Sequence, residues 1–369
     1  SLARPDETIE AIPTESGWRR LLARIGVDLR PGEGRLATLL FIYNSLLFAG
    51  FYATKAVRQS TFVDSLGSAK LPWAYLLVAL GSYPAVRLYT YYADRISQDR
   101  LLVVSSLLNA ASMVVFWWLF SLERAWVAIA FYLWIALAFG VAISQFWSYA
   151  HQAFDPRQAK RLFGFLAAGA SVGGILGGQL TRISAERAAT AEALVRVAGC
   201  LVGLVLVILL LRRGRHGPAA ATTTTRSARL RSAKIAEGRD GLKVISGSRV
   251  LRQIALVVVI GVIVSQIVDL LFNWVVENAT EDLEQRARVF GHFYSLMGAG
   301  AFLIQVLLTA RIQRSLGVGF AMKVLPLTIG LGMLIFIGSG ALFPALLLAS
   351  AWALKIGEGG LRHSFEQTT

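Results

Sequence analysis

Polar residues set inside long apolar runs are the places where this chain can do chemistry. Within residues 253–277, Gln266, Asp269, Asn273 and Glu277 recur at i, i+3, i+7 and i+11, which is one face of a helix. An earlier run carries Asn44, Phe48, Tyr52, Lys55 and Gln59 on a similar line, with Arg58 just beside it. A third carries Lys355, Glu358 and Arg362 at i, i+3 and i+7, close enough to pair along a helix, and Gln145 stands alone in a fourth. A charge in hydrocarbon costs a few kcal/mol, so each such group must face a partner or a water-filled cavity. The types present suit anion recognition: arginine offers a planar fork for phosphate or carboxylate, lysine a compact point charge, and the acids a counter-charge. Catalysis is not indicated. His151, His216, His292 and His363 are scattered without metal-ligand spacing, no Ser-His-Asp set can be assembled, and Cys200 is the only cysteine, which rules out an internal disulfide or a CxxC metal site. Neither a cofactor nor a metal is expected, and the chain does not read as an enzyme.

The elements that must position these residues are membrane-spanning helices. Hydrophobic residues make up 55% of the chain, charged ones only 16%, and the mean hydropathy is +0.58, a balance that calls for lipid as solvent. A bilayer core of about 30 Å takes roughly 20 apolar residues per helical crossing. Ten such stretches are expected, at 36–57, 71–92, 101–120, 126–149, 162–181, 193–211, 253–277, 289–310, 318–338 and 341–361. The formal net charge of +15 is spread over the connections between spans and not gathered into one basic domain, so it reads as a topology signal, with no nucleic-acid partner. Arg19, Arg20, Arg24, Arg30 and Arg35, then Arg95 and Arg100, then Arg157, and then the basic stretch 212–252 all fall on one side. By the positive-inside rule that side, with the N-terminus, is cytoplasmic. Trp18, Leu21, Leu22 and Ile25 recur at helical spacing among arginines and predict a short interfacial helix in the segment 1–35.

The chain repeats itself weakly. An offset of about 219 residues lays the first span on the seventh and the second on the eighth, with Tyr75 on Tyr294, Gly81 on Gly300 and Arg95 on Arg314. This divides the chain into an N-terminal six-helix half at 36–211, a basic linker at 212–252 and a partial second half at 253–369. The chain opens on Ser1 and only four spans of the second half are present, so it is expected to be a fragment.

The turn Tyr91-Tyr92-Ala93-Asp94-Arg95-Ile96-Ser97-Gln98-Asp99-Arg100 resembles the cytoplasmic signature of the major facilitator superfamily, with Asp94 and Arg95 matching and Thr90 and Ser97 in place of its glycines. Within that superfamily, Lys55-Ala56-Val57-Arg58-Gln59 and the run from Gln158-Ala159-Lys160-Arg161 through Gly164 to Gly169-Ala170-Ser171 look like the nucleotide (ATP/ADP) translocase group and its bacterial relatives. The resemblance implies an all-α polytopic membrane protein of two pseudo-symmetric six-helix halves, the second truncated after about four helices. It also implies alternating access about a central cavity lined by spans one, four, seven and ten. Cargo binding then falls to Asn44, Tyr52, Lys55, Arg58, Gln145, Gln266, Asp269, Asn273, Lys355 and Glu358. Gating falls to Asp94 and Arg95, and to Gly169, Gly173 and Gly177, whose spacing of four makes one small-residue face for a sliding contact between spans five and eight. That glycine-rich stretch lacks the Gly-Lys-Ser/Thr ending of a phosphate-cradling loop.

The expected function is secondary active transport of an anionic metabolite, such as a nucleotide or other phosphorylated compound, by a monomer in the lipid bilayer of a bacterial inner membrane. Two other classes stay open: a scaffold or sensor on a transporter fold, and a membrane enzyme acting on lipid-linked substrates.

Overall fold

The computed structural model describes residues 33–93, 95–187, 190–213 and 247–304. The described residues form eight α-helices, in chain order α1 Gly34–Leu66, α2 Leu71–Ala93, α3 Gln98–Leu119, α4 Ala125–Ala153, α5 Pro156–Glu186, α6 Glu192–Arg213, α7 Arg249–Ala279 and α8 Leu283–Ile304. They correspond to the first eight expected spans, and no strand occurs among the described residues. The expected spans at 318–338 and 341–361, the interfacial helix around Trp18 and nearly all of the basic linker lie outside the described residues.

Local signals in the sequence set several helix ends. α5 starts on a capping box, in which Asp155 caps the first turn and Gln158 reaches back to the Asp155 N–H at 3.0 Å, with proline at the first helical position. α1 stops at Gly67, whose φ of +79° and ψ of 154° belong to a region that only glycine enters cheaply. α1 runs past the expected end at residue 57, because the polar run Arg58-Gln59-Ser60-Thr61 that breaks the hydropathy is buried by protein. The Ser60 and Thr61 hydroxyls turn back and donate to the carbonyls of Ala56, at 3.0 Å, and Val57, at 2.8 Å. At 1.5 Å per residue α1 is about 50 Å long, well beyond the bilayer core.

α1 is the central post. It packs against α4, α5 and α6 on one side and against α8 and the end of α7 on the other. The larger core, around Leu40, Tyr43, Leu47, Phe131, Phe139, Phe146 and Leu201, binds α1 to α3, α4, α5 and α6. A second, aromatic core of Phe48, Tyr52, Phe272, Phe290, Phe293 and Tyr294 joins α1 to α7 and α8. Outward faces are apolar as well: Trp73, Leu80 and Tyr83 on α2, Leu108 and Trp118 on α3, Leu206 on α6 and Leu256, Val258 and Ile263 on α7 are all exposed. A protein surrounded by water does not present so much apolar surface, whereas hydrocarbon requires it. Six helices, α1 and α3 to α7, are long and apolar enough to cross a membrane, while α2 and α8 are less apolar and are packed beside them. The chain is a multi-pass integral membrane protein.

Candidate functional site

Small residues let the helices around the site approach. An added Cβ would lie 2.7 Å from the Phe41 carbonyl oxygen at Gly169, 2.5 Å from that of Ser45 at Gly173, and against that of Ala49 at Gly177. The Gly169-Gly173-Gly177 face therefore packs on α1, and the expectation that it meets span eight is corrected. The neighbouring face of α5 meets α8 instead. Gly178 abuts the backbone of Gly291 and Ser295, and at Gly298 an added Cβ would lie 2.7 Å from Ile175 N and Ser171 O. One helix thus carries two glycine faces, because α5 is wedged between α1 and α8.

On this frame α1, α2, α7 and α8 assemble a buried polar hub, about 12 Å below Gly67 by helical rise. Asp269 of α7, 7% exposed, is its centre. Its Oδ2 accepts from the Tyr75 hydroxyl at 2.9 Å, from Gln59 Nε2 at 3.2 Å and from Asn273 Nδ2 at 3.3 Å. The Tyr294 hydroxyl donates to Gln59 Oε1, so α8 also holds α1. A carboxylate this deep persists only if it is hydrogen-bonded or paired. Two cations flank the hub from α1. Lys55 Nζ lies 5.0 Å from the centroid of the Tyr294 ring, and the Arg58 guanidinium carbon lies 4.2 Å from that of Tyr132 on α4. Tyr52 lies between Phe51 and Tyr294, at ring-centroid distances of 5.1 and 5.4 Å.

Above the hub, at the Gly67 end, the same helices are latched. Arg286 at the start of α8 donates to Asp64 at 2.5 Å, and to the Thr280 carbonyl at 3.3 Å. Glu277 at the end of α7 accepts the Ser68 N–H at 2.9 Å, and Glu284 accepts the Thr190 hydroxyl. Gln179 Nε2 of α5 donates to the Ser295 hydroxyl at 2.9 Å.

Not every expected residue joins the hub. Asn44 donates from Nδ2 to the Leu166 carbonyl at 2.8 Å, and Gln145 accepts the Ser105 hydroxyl at 2.7 Å, so both fasten helices among α1 to α6. Gln266 is exposed, whereas Asp269 and Asn273 of the same stripe are buried. The Arg95 guanidinium carbon lies 3.6 Å from the centroid of the Tyr91 ring, while Asp94, Lys355, Glu358 and Arg362 lie outside the described residues. Sequence reasoning missed Tyr75, Tyr132, Tyr294 and the Asp64–Arg286 pair as site residues. Only the first and third left a signal, since the repeat offset lays one on the other.

No curated protein matches the chain. The family model for TLC ATP/ADP transporters matches residues 98–346, from the start of α3 through α8 and beyond, and so includes Tyr132, Asp269, Asn273 and Tyr294. With well over half of its length matched, the chain belongs to the TLC ATP/ADP transporter family and is a membrane transporter, not an enzyme.

Proposed function

We propose that the chain is a secondary transporter of the major-facilitator type, moving an anionic metabolite such as a nucleotide or other phosphorylated compound by alternating access. The observation that carries this reading is the hub, where two α1 cations and one α7 carboxylate sit between the N-terminal helices and α7 and α8. An anion arriving at Lys55 and Arg58 brings a like charge beside Asp269, and the repulsion loosens α1 from α7. Binding energy is thereby spent on a change of shape. Membership in a family of ATP/ADP transporters supports a nucleotide as the cargo.

Two pseudo-symmetric halves, 36–211 and 253–369 joined by the linker 212–252, are supported by reciprocity across the interface. The start of α2 holds the end of α7 through Ser68 and Glu277, and the start of α8 holds the end of α1 through Arg286 and Asp64. Tyr75 reaches across to Asp269, and Tyr294, its counterpart in the repeat, reaches back to Gln59. In this reading the latched Gly67 end faces outward, the N-terminus and the Asp94-Arg95 turn face the cytoplasm, and the protein works as a monomer in a bacterial inner membrane. Tyr52 and Asn273 border the cargo site, to which Gln266, Lys355 and Glu358 are also assigned.

The test is counter-exchange in proteoliposomes. Vesicles carrying the purified chain and preloaded with unlabelled ADP should take up labelled ATP faster than protein-free vesicles, and should leave a labelled neutral sugar outside. Equal uptake of both solutes, or of neither, overturns the proposal.

A further inference from the structure

Arg58 is a buried cation for which the described residues supply no acid. It is 8% exposed, its Nε has no hydrogen-bond acceptor, and it takes part in none of the ion pairs among the described residues. Its guanidinium carbon lies 4.2 Å from the centroid of the Tyr132 ring. Asp269 shares its neighbourhood, for both charges act on Tyr75, Tyr132 and Tyr294. Among the described residues Asp269 accepts hydrogen bonds from Gln59, Tyr75 and Asn273, and Arg58 makes no ion pair with it. A guanidinium seated over an aromatic ring keeps its N–H donors in its own plane, as a fork matched to two oxygens of a phosphate. Burying such a fork without an acceptor is costly, and the cost disappears when a ligand brings the anion.

We propose that Arg58, seated over the Tyr132 ring, is the group that reads the phosphate of the cargo, and that Tyr132 is its positioning residue. The division of labour follows from geometry. Lys55 leans toward Tyr294 on α8 and Arg58 toward Tyr132 on α4, so a phosphorylated ligand touching both spans the interface between α4 and α8. The Lys55 point charge accepts any anion, whereas the Arg58 fork selects for two adjacent oxygens. This inference rests on the reading of the chain as an anion transporter and adds to it the residues that set specificity.

The experiment measures binding to the purified full chain in detergent, by the shift of its thermal unfolding midpoint with added ADP, inorganic phosphate or phosphatidylglycerol. The variants are Arg58→Lys, Tyr132→Leu and Tyr132→Phe. ADP should raise the wild-type midpoint. Arg58→Lys and Tyr132→Leu should weaken ADP binding by about tenfold or more, while Tyr132→Phe, which keeps the ring, should rescue it. Where Arg58→Lys does not fold, the contrast between Leu and Phe at position 132 still decides. Unchanged ADP binding in Arg58→Lys and Tyr132→Leu overturns the inference. So does a midpoint that rises with phosphatidylglycerol but with neither soluble phosphate compound, which would make Arg58 a lipid contact. Nucleotide exchange that survives with Arg58-independent binding removes this inference and leaves the transport reading standing. Arg58-dependent phosphate binding without nucleotide exchange does the reverse.

Discussion

Arg58 and Arg286 are both more than nine-tenths buried, and both lie where α1 meets the second set of helices, yet the fold equips them differently. Arg286 has Asp64 at 2.5 Å and the Thr280 carbonyl at 3.3 Å. Arg58 has the face of an aromatic ring. A guanidinium given its own acid is satisfied in the empty protein and fastens one helix to another. One given a ring is held in place and oriented, but its charge is left for something else to meet. On the proposed reading the latch is complete without cargo, and cargo completes the hub.

The comparison breaks first at function. Arg58→Gln should lower transport at subsaturating nucleotide by about tenfold or more while leaving the unfolding midpoint of the empty protein unchanged or higher, since an uncompensated charge has been removed. Arg286→Gln should do the opposite, lowering the midpoint and leaving nucleotide affinity within about twofold. Midpoints and uptake rates measured on both variants decide it, and matching profiles would erase the distinction.

The next effect is smaller. Asp64→Ala leaves Arg286 buried without its acid, and because the Asp64 side chain is 40% exposed the loss should be about 1–2 kcal/mol, short of the cost of breaking a fully buried pair. It should also raise labelling of a cysteine placed at Ser68 by a membrane-impermeant reagent, as the latched end opens. The swap Asp64→Arg with Arg286→Asp should recover part of the stability. Failure of the swap to recover any would locate the effect elsewhere than in the pair.

Smaller still, Tyr75→Phe and Tyr294→Phe each remove one hydroxyl from the hub. Each should cost about 0.5–1.5 kcal/mol in thermal or denaturant unfolding, and the two losses should be alike if the halves are related by the repeat. A large loss at one position and none at the other would argue against the reciprocity.

Much of this frame was legible in the sequence, for reasons that also mark where legibility ends. Apolar runs located all eight described helices, since hydrocarbon demands them. The hub was visible as two polar stripes, because an Asp or Lys inside such a run has to meet a partner. Periodicity showed that Gly169, Gly173 and Gly177 share a face but not what that face meets. It turned out to be α1, with Gly178 facing α8. The end of α1 was misplaced because hydropathy cannot distinguish a polar residue in water from one, like Gln59, hydrogen-bonded inside protein. Tyr132 lies in a stretch rich in aromatic residues and Asp64 in the last turn of α1, and neither has a local pattern pointing to a partner far away in the chain.

The central claim is that the α1 cations meet the cargo and are not merely paired with Asp269. Its most direct test is labelled nucleotide uptake by proteoliposomes carrying Lys55→Gln, Asp269→Asn and the double variant. If the cations bind the cargo, Lys55→Gln should weaken uptake to the same degree whether or not Asp269 is neutralised. If Lys55 and Asp269 serve only as a structural pair, each single change should impair transport and the double variant should restore it, and that restoration would contradict the account.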